Sequence, residues 1–169
     1  MFNNPMRHYR SIIVLACGIG FLIAAEGSGA QDAPQSAAGF DGVWVMSTMR
    51  SSIGQMFTER THISHQGGIE TFESEIGGDR NSSGIRYAAP TNGQPAPFYD
   101  RVTGQKRGTV TVNIISPTMT KIALVEDDPK RGSRWLEHWL SHDGRTYISL
   151  LKNQAGVVRS VLIFEKQPE

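Results

Sequence analysis

Cysteine is almost missing from this chain: its 169 residues hold one, Cys17. A lone thiol closes no internal disulfide, and Cys17 sits in an amino-terminal segment that reads as removable. The remainder then carries no thiolate metal ligand and no cysteine nucleophile. Charge of one sign is missing too, with 17 basic against 16 acidic residues. Taking away Arg7, Arg10 and Glu26 with the leader leaves fifteen of each. A neutral domain has no field to gather nucleic acid or an anionic membrane, so neither is expected as a partner. After Gly39 no window of a dozen residues repeats apolar positions at three- and four-residue spacing, which excludes an amphipathic helix. Also lacking are G-x-S-x-G, a phosphate-cradling glycine loop, zinc-ligand spacing and two fixed opposing carboxylates. No metal, cofactor or catalytic residue is therefore expected, and the enzyme question stays open on the side of no.

What the amino terminus does have is Arg7 and Arg10 followed by the apolar run SIIVLACGIGFLIAA, Ser11 to Ala25, and then the small, polar EGSGA. That order is a secretory signal, with cleavage expected after Ala30. The run is short for a bilayer span, so no span is expected after cleavage. The VLAC stretch ending at Cys17 offers a lipoprotein anchor as an alternative. Residues 1–30 thus read as signal peptide, 31–39 as a flexible tether, and 40–169 as one domain, periplasmic or secreted. About 130 residues bury about two-thirds of their unfolded surface, enough for one core.

Within that domain, β-branched runs alternate with turn residues, so the fold class is all-β. Strands are expected at 43–49, 59–66, 69–76, 84–89, 109–115, 120–127, 133–140, 146–152 and 157–166. The segment Pro90 to Gly108 is too rich in Gly and Pro for a central strand. Short sequential connections favour an up-and-down antiparallel barrel of eight or nine strands, with a β-sandwich as the alternative. A two-residue turn at Gly67-Gly68 sets Ile63 opposite Phe72, His62 opposite Glu73 and Arg60 opposite Glu75. Thr61, Ile63, Phe72 and Ile76 then share a buried face, and the charged residues a solvated one.

Carrying the register through HDG at 142–144 and NQAG at 153–156 gathers Trp135, Glu137, Trp139, Tyr147, Ser149, Leu151, Val158, Ser160, Leu162 and Phe164 on one face. The opposite face, with Leu136, His138, Leu140, Ile148, Leu150, Arg159, Val161 and Ile163, is also largely apolar. The aromatic face is expected to point inward, because aromatic walls with a few polar groups suit a small apolar ligand. The expected ligand residues are Trp44, Trp135, Glu137, Trp139, Tyr147 and Phe164. Plain core packing explains the same aromatics. The other apolar face would need a cover, from Pro90–Gly108 or from a second subunit in a homodimer.

The remaining motifs have structural readings. His62 and His65 of HISH lie three apart on a strand, facing opposite ways, a poor chelate. The acidic run Glu126 to Asp128 ends at Pro129 in a turn. Lys130, Arg131 and Arg134 beside Trp135 would suit single-stranded nucleic acid, against the neutral balance. Asn81 to Ser83 is a glycosylation acceptor only in a eukaryotic secretory host.

Four pieces in order carry a resemblance: DGVW at 41–44, FYDRVTG at 98–104, SHDGRTY at 141–147 and VLIFEKQ at 161–167. Together they resemble the exported lipocalin-like proteins of bacteria, over most of residues 39–167. The middle motif departs from the family's by lacking a second Gly and the Tyr-Pro, and no T-D-Y motif is present. The resemblance implies a barrel whose end is plugged by Trp44, with Arg159 as a cation–π partner. The expected function is binding of a small apolar ligand without catalysis. An envelope interaction module is the alternative, and an isomerase- or cyclase-like barrel using Glu137 or His138 a third reading.

Overall fold

In the computed structural model of the chain, residues 37–53, 57–77 and 83–168 are described. The expected signal peptide, most of the tether and Asn81 lie outside them. A short 3-10 turn, Ala38–Phe40, leads into β1 (Gly42–Met46), β2 (Thr58–Gln66), β3 (Ile69–Gly77), β4 (Ile85–Pro90) and β5 (Ala96–Asp100). Then come β6 (Lys106–Ser116), β7 (Met119–Glu126), β8 (Arg134–Leu140), β9 (Thr146–Lys152) and β10 (Val158–Lys166). Each strand pairs antiparallel with its sequence neighbours, and β1 also pairs with β10, giving a closed barrel. Closure leaves no free sheet edge.

The local chemistry explains the hairpins. Gly67 and Gly68 hold φ of 59° and 77°, the left-handed pair a two-residue turn demands. That turn puts Ile63 opposite Phe72, His62 opposite Glu73 and Arg60 opposite Glu75, as the sequence predicts. Along β3 and β4 every second residue is buried. Inside are Phe72, Ser74, Ile85, Tyr87 and Ala89, while outside Arg101 pairs with Glu73 and Glu75 at 2.8 and 3.2 Å.

Three expectations are corrected. The barrel has ten strands, because Ala96–Asp100 is a strand despite its proline. Pro97 sits one place past the last β4–β5 pair, Tyr87 with Phe98, so its missing N–H breaks no bond to β4. Ala37, expected in the tether, is instead fully buried in the core, and the 3-10 turn follows it.

The third correction concerns β8. Ser141 and Thr146 pair across the β8–β9 connection, with the Ser141 amide donating to the Thr146 carbonyl at 2.8 Å. The loop is therefore His142 to Arg145, one residue longer than HDG alone. Asp143 holds it by accepting from Ser141 Oγ at 2.6 Å and the Arg145 amide at 3.0 Å. One extra residue turns a whole strand over. Leu136 pairs with Leu151, His138 with Ser149 and Leu140 with Tyr147, so these point inward, while Trp135, Glu137 and Trp139 point out. From Ser160 onward the β9 and β10 faces are as expected, since a bulge between Val158 and Ser160 absorbs the longer turn, whereas Val158, expected on the inner face, pairs with Lys152 before the bulge and is exposed.

The β1–β10 seam is finished by side chains. Direct pairing runs only over Trp44 to Met46. Beyond it the Ser47 and Ser52 amides donate to the Ile163 and Val161 carbonyls at 2.7 and 2.8 Å. In return, Ser51 and Ser52 hydroxyls accept from the Ile163 and Val161 amides at 3.0 and 2.9 Å.

Candidate ligand site

The barrel interior closes at one end and opens at the other. At the closed end Trp44 is 0% exposed, and its indole N–H donates to the Phe40 carbonyl at 2.8 Å. Tyr147 meets the Trp44 ring edge-on at 4.9 Å and stacks on Phe164 at 4.5 Å, while its hydroxyl lies 3.2 Å from Thr61 Oγ1. The lysine over Trp44 is Lys166, with Nζ 5.3 Å from the ring centroid. Arg159, the expected partner, lies exposed near the start of β10 instead. Gly42 makes that arrangement possible: at φ 129° it needs no side chain, and a Cβ there would come within 2.8 Å of Lys166 Cε.

Above this floor lies a cavity of about 160 Å³. Its wall includes Thr61, Phe72, Ser74, Ile85, Tyr87, Ile122, Leu124, Leu136, His138, Tyr147, Ser149, Leu162 and Phe164. Phe72 and Tyr87 stack at 5.1 Å with planes 10° apart, so two stacked aromatic pairs face the space. Of the expected ligand residues, Tyr147 and Phe164 are in this wall and Trp44 lies beneath it. The longer turn puts the other three outside the barrel. There Glu137 accepts from Lys152 at 2.7 Å and lies 3.8 Å from Lys121. The Lys152 hydrogen bond holds its carboxyl below the usual range. Trp135 lines a shallow outer groove with Glu137, and Trp139 is 44% exposed. Glu137 is thus no acid or base for anything inside.

The open end is charged. Glu126 accepts twice from Arg107 and once from Arg134, the last at 3.2 Å. Glu59 joins Arg107 and Arg134 in the cavity lining. Burial raises the Glu59 carboxyl to about 7, against the pull of Arg134. Near neutrality, then, the two guanidiniums face Glu126 and a half-protonated Glu59.

A second polar network lies near the floor, and it separates the two histidines of HISH. His62 is exposed on the outer face. His65 turns in, with Nδ1 2.6 Å from Asp41 and Nε2 3.0 Å from Glu70. Tyr87 donates to the other Glu70 oxygen at 2.8 Å. Burial works to lower the His65 pKa, but hydrogen bonds to Glu70 and Asp41 outweigh it and raise it. Burial and the neighbouring Glu70 lift the Tyr87 hydroxyl well above its ordinary value, so it stays protonated. The network ties the chain before β1 to β2, β3 and β4. Glu70 was findable in the sequence, since two-residue alternation from Phe72 places it inside.

Among the described residues no helix is long and apolar enough to cross a membrane.

No family model matches the sequence, and no curated protein sequence matches it. The fold does have solved neighbours. A Schistosoma mansoni fatty acid binding protein in complex with arachidonic acid superposes with a TM-score of 0.58 at 16% identity, over 79% of this chain and 99% of that one. At that identity the likeness concerns the fold alone, a closed antiparallel β-barrel.

Proposed function

We propose that this chain is an exported binding protein for a small, mainly apolar molecule held inside the barrel, without catalysis. The observation that carries the reading is the floored cavity of about 160 Å³, walled by two stacked aromatic pairs. Ligand sites are concave, mostly apolar and equipped with a few polar groups, as this one is. The fatty acid binding protein of similar fold is in complex with arachidonic acid, which supports the same ligand class. Size argues for a smaller guest here, because an engineered apolar cavity of about 150 Å³ takes up benzene. The leader before the domain supports export, with periplasm or extracellular space as the destination.

Native mass spectrometry of the protein purified from its own host tests the reading, together with ligand-observed NMR against single-ring aromatics. A retained small molecule, or a ring compound bound with chemical-shift changes at Tyr147 and Phe164, is the expected result. Saturation of the outer face alone, with no interior shift, would count against it.

The outer face of β8 and β9 favours a second reading, as a contact surface. Trp139 and Ile148 face each other across the strands and are 44% and 38% exposed. Sedimentation over a wide concentration range checks it: self-association that Trp139→Ser abolishes supports a homodimer through this face.

A further inference from the structure

The cavity wall carries one polar row that the protein does not satisfy. Thr120 on β7, His138 on β8 and Ser149 on β9 are direct cross-strand neighbours. All three are buried, at 2%, 5% and 2% exposure. His138 and Ser149 line the cavity. Neither side chain finds a hydrogen-bond partner among the described residues; His138 makes only ring contacts, with Phe40 and Tyr147. Behind them, Thr120 Oγ1 is a buried side-chain oxygen that likewise has none. Elsewhere inside, polar groups are paired: Tyr147 with Thr61, Tyr87 with Glu70, Ser74 with the Ile85 amide. Buried polar groups normally have partners, so an unpaired row at a cavity wall marks where a guest's own polar group belongs.

We propose that His138 and Ser149 hydrogen-bond an uncharged oxygen function, a hydroxyl or carbonyl, on a single-ring ligand whose ring lies against Tyr147 and Phe164. This rests on the interior being the ligand site. The uncharged character follows from position. The arginines stand at the open end, with Arg134 four residues along β8 from His138, about 13 Å away. The charge of Glu70 is felt at His138 and would repel an anion there. A neutral imidazole and a hydroxyl each offer a donor and an acceptor, which suits a hydroxyl or carbonyl equally. A site built around such a group also rejects the analogue lacking it, because the site's own groups are then left unpaired.

Calorimetric titration of the domain with phenol, toluene and benzoate tests the assignment. Phenol and toluene nearly share a shape and differ in the one group that matters. Phenol is expected to bind about tenfold more tightly than toluene, and benzoate no better than toluene. Ser149→Ala and His138→Phe should each weaken phenol about fivefold and leave toluene unchanged or tighter. Phenol should also shift the His138 ring nitrogen resonances, which a purely structural histidine would not show. Ser149→Ala, the milder change, keeps the test usable if His138→Phe does not fold. Equal binding of phenol and toluene to the wild type, or a variant that weakens both alike, overturns the polar row while the cavity stands as a site. Absence of binding by all three overturns the row and the interior site together.

Discussion

Two buried or half-buried imidazoles set opposite demands on pH. His138 is fully buried, and burial holds it down to about 4 against the weaker pull of the Glu70 charge. The unfolded chain takes up that proton near pH 6.5, so between pH 6.5 and 4 unfolding binds protons and stability falls as pH falls. The loss is on the order of 3 kcal/mol across the window. Glu59 and His65 act the other way. The raised Glu59 carboxyl favours the folded state while protonated, and that contribution is lost from about pH 4.5 upward to about 7. His65, raised between two carboxylates, contributes fully below pH 6.5 and loses it as pH rises through its folded value. Urea midpoints at pH 4.5, 5.5 and 6.5 for wild type and His138→Phe separate these terms. The variant is expected to lose the wild type's acid-side decline; parallel pH profiles would remove His138 as its cause. At this scale the sequence was partly readable. Trp44, Tyr147 and Phe164 are buried where expected, whereas Arg107, Arg134 and Tyr87 were invisible as site residues because only closure of the barrel brings distant strands together.

Among the elements, the turns decided what could be foreseen. Gly67-Gly68 has one low-energy geometry and yields a correct register for β2 and β3. The SHDGR connection is less determined, since whether Arg145 belongs to the loop or to β9 depends on Asp143 bonding back to its amide. That single residue separates an inward Trp139 from an inward His138. β5 was missed for a related reason: proline is tolerated where pairing with the neighbouring strand has already ended, and where pairing ends is not written in composition. On β1, Gly42 combines a left-handed backbone with Lys166 packed against it. Gly42→Ala is expected to cost about 1–3 kcal/mol by chemical denaturation, chiefly from the strained φ. A variant as stable as wild type would mean that β1 shifts its backbone freely at that point.

For the molecule as a whole, inside and outside are separable by mutation. Phe164→Ala removes half of a stacked pair from the core and is expected to cost about 3–5 kcal/mol. Trp139→Ser, on the outer face, should change stability by less than about 1 kcal/mol. Denaturant titrations of the two variants compare them directly, and a reversed order would place the β8 faces the other way round. The β1–β10 seam has a different consequence, one of access. Its upper part is held by serine hydroxyls and a short run of loop amides in place of a full strand ladder. Water replaces a hydroxyl acceptor readily, so this line should unzip ahead of the rest of the wall. Amide exchange at Val161 and Ile163 is expected to outpace that at Leu124 and Val112, and Ser51→Ala with Ser52→Ala to quicken it further. A guest that found the charged mouth too narrow would then have a side door, whose latch is two hydroxyl groups and whose opening rate caps how fast the barrel can be filled or emptied.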